Sequence, residues 1–543
     1  MSRALGLMRR VRDNPANPAR LLAVAMFASA TLILLLGHGA TFSGDELVLV
    51  TTSPGLDLHT LFEPHGGHLI ALPRLVYRVL LEISGLDYLP FRILAVASIL
   101  VAVWLLFTWA RRRVDPWLAS GFCAMLLFYG SDYLHMFQGN GFIVVSSIAL
   151  GVAALLALER GDRRGDLLCC LFLALGVLTY SVALAFLAGV AVNLLVRRQW
   201  GRAWVFALPL ALYLAWRIWL IAADVPGDGG GIDIYSLLLV SGWSFQSVAG
   251  VLGTLSGLDY AFTGGLVEKV GPAGPPLAVV AAILLAVAIV KRGLGPVLLT
   301  AIACALALWT MQVLSYGDAA GLRIPGADAR YLYPGAFVIG LVIFAAIGPG
   351  PVPGRYLALF AVVVAGSVTV NLMTMKDGAD LIRDSASQVR TYAAMYRMSV
   401  PAPSPGEKPH VSSSAGIMVA MINSPYGDLG YRLPVLLEEP EPDLEKLDQV
   451  MAAVVPFQVT PALTGGVACR AVTSDELRAR PGASLLLSSA GGELLARRFA
   501  DRATALAGSL SPGVVYRVKV PGVGQLPWKL AIGSGLKSCH RPA

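Results

Sequence analysis

The chain has 543 residues, 56% of them hydrophobic and only 14% charged, and its mean hydropathy of +0.68 excludes an ordinary soluble globular protein. Its net charge of +8 comes as short basic clusters between apolar runs rather than as one patch. That distribution sets membrane topology and argues against a nucleic-acid partner.

The first apolar run, residues 21–37, follows Arg9, Arg10, Arg12 and Arg20. No small-residue cleavage site follows it and many more apolar runs come after, so it reads as an uncleaved first span. Further spans are expected near residues 88–110, 115–130, 141–158, 166–181, 182–196, 203–222, 276–290, 294–314, 331–348 and 356–373, about eleven in all, several of them short. Basic clusters recur at Arg111 to Arg113, Arg160 with Arg163 and Arg164, Arg197 with Arg198 and Arg202, and Lys291 with Arg292. Asp45, Glu46, Asp57, Asp132, Asp224, Asp228, Asp233, Asp318 and Asp328 fall in the intervening loops. By the positive-inside rule the basic ends and the N-terminus are cytoplasmic, and the acidic loops and the tail are outside.

Two apolar segments fall outside this alternation. In "HLIALPRLVYRVLLEISG", Leu69, Leu72, Val76, Val79, Leu80 and Ile83 share one helical face while Arg74, Arg78 and Glu82 recur every fourth residue on another, which predicts a helix on the outer interface. The other, "SLLLVSGWSFQSVAGVLGTLSG", is read as re-entrant, interfacial or an additional span.

After the membrane domain of residues 1–375, Ile382, Ala386, Val389, Ala393 and Tyr396 keep helical spacing, and a Pro- and Ser-rich linker ends this second segment at about residue 414. Residues 415–543 combine a short helix near "DLEKLDQVMAAVV" with alternating strands and turns, a soluble, mainly-β, sandwich-like domain. Cys469 and Cys539 are the tail's two cysteines, and an oxidising exterior predicts a disulfide between them.

Asp45 and Glu46 follow the first span directly. They either solvate a helix end, or one of them is a partly desolvated carboxylate able to take a proton from a hydroxyl; adjacent side chains diverge, so only one acts as a base. His65 and His68 flank a Gly-Gly turn, and Arg74 and Arg78 lie one helical turn apart, suited either to anchoring the helix or to gripping an anionic head group. His-x-x-His with Glu63 is a weak metal signature that leaves a divalent metal open. Asp132, His135, Gln138 and Asn140, with Tyr129 and Tyr133, offer polar groups and stacking surfaces for a sugar. Arg323 and Arg330, before Tyr331, Tyr333 and Pro334, run against the positive-inside trend and suit a phosphate, or else pair with Asp318 or Asp328. No P-loop, G-x-S-x-G, H-E-x-x-H or C-x-x-C motif is present.

The acid pair in the first outer loop, the arginine-bearing interfacial helix, the span count and the late Arg-Tyr-x-Tyr-Pro stretch together resemble the GT-C superfamily of polyprenyl-phosphate-sugar glycosyltransferases, over residues 1 to about 375. The tail is similar to the appended outer domains of some bacterial members. The resemblance implies Asp45 or Glu46 as the general base, with donor phosphate near Arg74, Arg78, Arg323 and Arg330, and substrate contacts from His65, His68, Asp132 and Tyr331. It implies a polyprenyl-phosphate sugar donor, a cell-envelope glycan, glycolipid or glycoprotein acceptor, surrounding membrane lipids, no certain cofactor, and a bacterial inner-membrane location. Two other classes fit the residues: a lipid or polysaccharide transporter, which requires ionisable residues deep in the spans, and a non-catalytic envelope-assembly protein, which would tolerate loss of the acid pair.

Overall fold

The computed structural model describes residues 14, 16–223, 234–259, 270–316, 328–398, 444–454, 456–462, 467–472, 476–522, 526–532 and 535–540. The chain divides into two compact units, Met1–Thr41 with Gly55–Arg383, and Phe42–Pro54 with Asp384–Ala543.

In chain order the helices are α1 (Asn17–Leu36), α2 (Asp45–Thr52), α3 (Leu58–Phe62), α4 (Ala71–Ser84), α5 (Leu89–Ala110), α6 (Pro116–Leu127), α7 (Tyr133–Phe137), α8 (Gly141–Leu158), α9 (Arg163–Thr179), α10 (Ala183–Val196), α11 (Trp204–Ala222), α12 (Ile234–Leu255), α13 (Gly274–Arg292), α14 (Pro296–Tyr316), α15 (Ala329–Ile347), α16 (Gly354–Met398) and α17 (Leu444–Val454). Among the described residues nine helices, α1, α5, α8 and α11 to α16, are long and apolar enough to cross a membrane, and α6 and α10 are shorter apolar helices. Their boundaries follow local chemistry. Proline opens α1, α5, α6 and α13, where its missing N–H costs nothing. Asp115, Asp162 and Asp328 accept the first free N–H groups of α6, α9 and α15.

The hydrogen bonds of the helical unit define its two ends. At one, Arg112 and Arg113 pair with Glu159, Arg202 pairs with Asp166, Arg292 donates to the Ala346 carbonyl, and the Val352 N–H donates to Asp115. The described basic clusters between apolar helices thus gather together. At the other end, Arg92 donates to the carbonyls of Ile33 and Leu34, both 2.9 Å away, Arg383 to that of Leu36, and Asn371 to that of Thr254. α12 meets this second end through two contacts: Trp243 packs on Val313 near the end of α14, and the Thr254 hydroxyl meets that of Tyr129 at 2.6 Å.

α4 is amphipathic as expected, with a different buried stripe. Ala71, Arg74, Tyr77 and Leu81 are buried, whereas Leu75, Val79 and Ile83 are exposed by 42%, 52% and 78%. Tyr77 packs on Phe91 and Phe142, and this aromatic contact decides which side faces the bundle.

In the second unit two antiparallel sheets form the expected sandwich-like tail. The strands are β1 (Gln458–Pro461), β2 (Ala468–Ala471), β3 (Leu477–Ala479), β4 (Ser484–Ser488), β5 (Gly492–Arg497), β6 (Ala505–Leu510), β7 (Tyr516–Lys519), β8 (Trp528–Ile532) and β9 (Lys537–His540), ordered β1-β7-β4-β9-β2 and β3-β8-β5-β6. Trp528, Leu487, Leu494, Val518 and Leu530 fill the core between alternating outward residues. α17 is tied to this unit by Asp448, whose buried carboxylate accepts the N–H groups of Arg498, Phe499 and Ala500. A disulfide joins Cys469 and Cys539, which lie directly opposite each other in β2 and β9.

Candidate functional site

The acid pair opens α2. Gly44 has φ +53° and ψ −127°, the first central position of a type II′ turn, which L side chains rarely adopt. The Glu46 N–H donates to the Ser43 carbonyl, and the Ser43 N–H donates back to Glu46 Oε2, each at 3.2 Å. Glu46 is therefore the buried clasp of this turn, in the manner of a capping box, while Asp45 is exposed beside it. The two adjacent acids thus differ in burial, Glu46 turned in and Asp45 at the surface.

In the helical unit, polar groups converge around Asp132. It is fully buried, its Oδ1 lies 2.5 Å from His135 Nδ1, and its Oδ2 has no hydrogen-bond partner among the described residues. The Tyr333 hydroxyl is also buried without a partner there, and its ring centroid lies 6.4 Å from that of His135. Asp328 caps α15 and accepts from Arg330 Nε at 3.0 Å through Oδ1, while its Oδ2 is a third such oxygen. Tyr133 links the group: burial raises its pKa first, and the charges of Asp328 and Asp132 raise it further. Buried polar atoms without protein partners are rare and suit a ligand that supplies hydroxyls.

Burial pushes the Asp132 carboxyl up to about 6, against the pull of His135. A carboxyl raised in the folded state stabilises it fully below the unfolded value of 3.8, and that contribution is lost as pH rises through 6. Asp132→Asn keeps the shape and removes the buried charge, so it should raise stability at pH 8 by up to about 3 kcal/mol and leave it nearly unchanged near pH 4. Thermal unfolding in detergent across this range measures it. An equal loss at both pH values would contradict the assignment.

His65 and His68 pair as an isolated β-bridge across Gly66 and Gly67, whose φ values of +54° and +77° make the tight turn expected from the sequence. His68 Nδ1 lies 2.8 Å from Ser181 Oγ and its ring packs on Tyr180. Burial lowers its pKa to about 4, so it is neutral at pH 7 and presents a neutral imidazole. Among the described residues no group of three or more His, Cys, Asp or Glu side chains is arranged to hold a metal.

The structure distributes the expected phosphate-binding arginines differently. Arg74 is buried and donates to the Glu63 carbonyl at 3.3 Å. Arg78 pairs with Glu82 one turn on, on the exposed side. Arg330 pairs with Asp328 yet keeps its side chain 47% exposed, with its guanidinium 5.9 Å from the Tyr331 ring centroid. Arg323 lies outside the described residues. Sequence reasoning missed Arg92, buried near the start of α5, and the way Asp328 and Tyr333 join Asp132; the Arg-Tyr-x-Tyr-Pro stretch was the available signal for Tyr333. No family model, no curated protein and no solved structure matches the chain.

Proposed function

We propose that the chain is a multi-pass membrane glycosyltransferase that moves a sugar from a polyprenyl-phosphate donor to a cell-envelope acceptor, with inversion at the anomeric carbon. The observation that carries this reading is the Gly44 turn, in which Glu46 is the clasp and Asp45 the outward carboxylate. Asp45 then takes the proton of the acceptor hydroxyl, as a single inverting displacement requires. Arg330, half-exposed beside an aromatic ring, is the arginine best disposed to stabilise a departing lipid phosphate, and Arg78 and Arg323 remain in that role as part of the proposal. Asp132, His135 and Tyr333 supply hydrogen bonds to sugar hydroxyls.

On this reading α1, α5 to α6, α8 to α11 and α13 to α16 make eleven crossings and α12, itself long and apolar enough to span, does not cross, which keeps the basic clusters together at one end. The positive-inside rule makes the basic end cytoplasmic and the acid-pair loop extracytoplasmic, in a bacterial inner membrane on this reading. Such a location explains a lipid-linked donor, since nucleotide sugars are cytoplasmic whereas a lipid-linked sugar can be presented outside. In α1, α5, α11, α13 and α15 the charged residues lie within about a turn and a half of a helix end, α8, α12 and α14 carry none, and in the longer α16 they lie at Arg355 and then from Lys376 onward, past the apolar stretch, which favours an enzyme over a transporter with a charged path.

The test is to incubate the purified protein with radiolabelled polyprenyl-phosphate sugars and envelope acceptors, with and without a chelator. The reading expects label in the acceptor and one polyprenyl phosphate released per transfer. Failure to consume any lipid-linked donor would overturn it.

A further inference from the structure

α13 stands partly away from the rest of the helical unit. Val280, Ile283, Leu284 and Val290 are 51%, 56%, 63% and 86% exposed, a pattern suited to contact with hydrocarbon. Between α13 and the facing sides of α12, α14 and α15 lies a cavity of about 800 Å³. Small side chains on α13, Ala278, Ala282 and Ala288, open the space, and Leu306, Trp309 and Ile343 form much of its far wall. Leu284 and Leu306 line it while remaining 63% and 49% exposed, so the cavity is a groove open toward whatever surrounds the helices.

The groove is closed at one end by charge. Lys291 and Arg292, the last residues of α13, both line it, and Arg292 Nη1 is held 3.1 Å from the Ala346 carbonyl at the end of α15. Among the described residues neither has an acidic partner, in contrast to Arg113 and Arg202 at the same end, which are tied to Glu159 and Asp166. An apolar slot along membrane-crossing helices, capped by two uncompensated cations, excludes a water-soluble occupant and matches an apolar chain bearing a negative head.

We propose that this groove is a binding site for an anionic phospholipid, its acyl chain lying between α13 and α14 and its phosphate on Lys291 and Arg292. The head group sits at the basic end of the helical unit, opposite the end where Asp132, Asp328 and Arg330 gather, so the bound lipid is a resident of the other leaflet and not the sugar donor. Arg292, fixed by the Ala346 carbonyl, orients toward the phosphate, and Lys291 supplies the flexible second charge. The proposal stands whether or not the protein transfers sugars.

Native mass spectrometry of the full chain in detergent, titrated with dioleoylphosphatidylglycerol or dioleoylphosphatidylcholine, tests it. The wild-type protein should retain the anionic lipid roughly tenfold better than the zwitterionic one. Lys291→Gln with Arg292→Gln should erase that preference, Ala288→Trp should lower retention of both lipids by filling the groove, and Arg111→Gln with Arg112→Gln should change neither. Equal retention of the two lipids by wild type, a preference surviving in the Lys291 and Arg292 double variant, or unchanged binding by Ala288→Trp would each overturn the assignment. Size-exclusion profiles matched to wild type confirm that the variants are folded.

Discussion

Asp45→Asn should reduce sugar transfer by roughly 10²- to 10⁴-fold while leaving donor binding nearly intact, because a general base acts only as the acceptor hydroxyl is deprotonated in the transition state. The substitution keeps the side chain's shape at an exposed position, and a melting temperature matched to wild type checks that the fold is kept. Glu46→Gln should behave differently. Its remaining carbonyl oxygen can still accept from the Ser43 N–H, so the turn survives and activity falls far less. Glu46→Ala removes the clasp from a buried position and should lower both activity and the melting temperature. The contrast between the two acids is the diagnostic feature: equal loss in Asp45→Asn and Glu46→Gln would mean that the turn geometry does not divide their roles. Full activity in Asp45→Asn would remove Asp45 from the chemistry altogether.

The second large effect is on the tail. Replacing Cys469 and Cys539 by Ala should destabilise the β-rich unit by about 4 kcal/mol, because the bond closes a loop between residues 70 apart in sequence. Topology directs the damage. β2 is an edge strand paired only with β9, its four residues are exposed, and it has little apolar burial to hold it without the cross-link. Scanning calorimetry should show a tail transition that moves down, with the transition of the helical unit in place, since the described free cysteines Cys123, Cys169, Cys170 and Cys304 lie elsewhere. A tail transition indifferent to loss of the pair would show that the two sheets suffice alone.

The helices were legible because their signals are local. Apolar runs bounded by Arg clusters, Pro and Gly place α5 at Leu89–Ala110 and α8 at Gly141–Leu158, within a residue of expectation. The disulfide was legible for a different reason, two cysteines in a small domain assigned to an oxidising exterior. What sequence periodicity could not supply is the identity of distant partners. Arg74 reads as a polar residue on a solvent face, yet it is buried because a carbonyl at Glu63, eleven residues away, accepts its guanidinium. Arg92 is likewise accommodated by the carbonyls at the end of α1, which the apolar pattern around it does not announce. Asp132 was visible as a candidate, but its burial and its grouping with Tyr333 and Asp328 depend on α7 and α15 meeting across nearly two hundred residues of chain. The same holds within the acid pair. Adjacency said that the two side chains diverge, and only the Gly44 turn says which one is buried.

The central claim is a single displacement assisted by one carboxylate, and the anomeric configuration of the product tests it most directly. With a polyprenyl-phosphate sugar of defined anomer as donor, nuclear magnetic resonance of the purified product should show the inverted glycosidic bond as the only linkage formed. A product of retained configuration would require a covalent or two-step route and would contradict the assignment of Asp45 as the base.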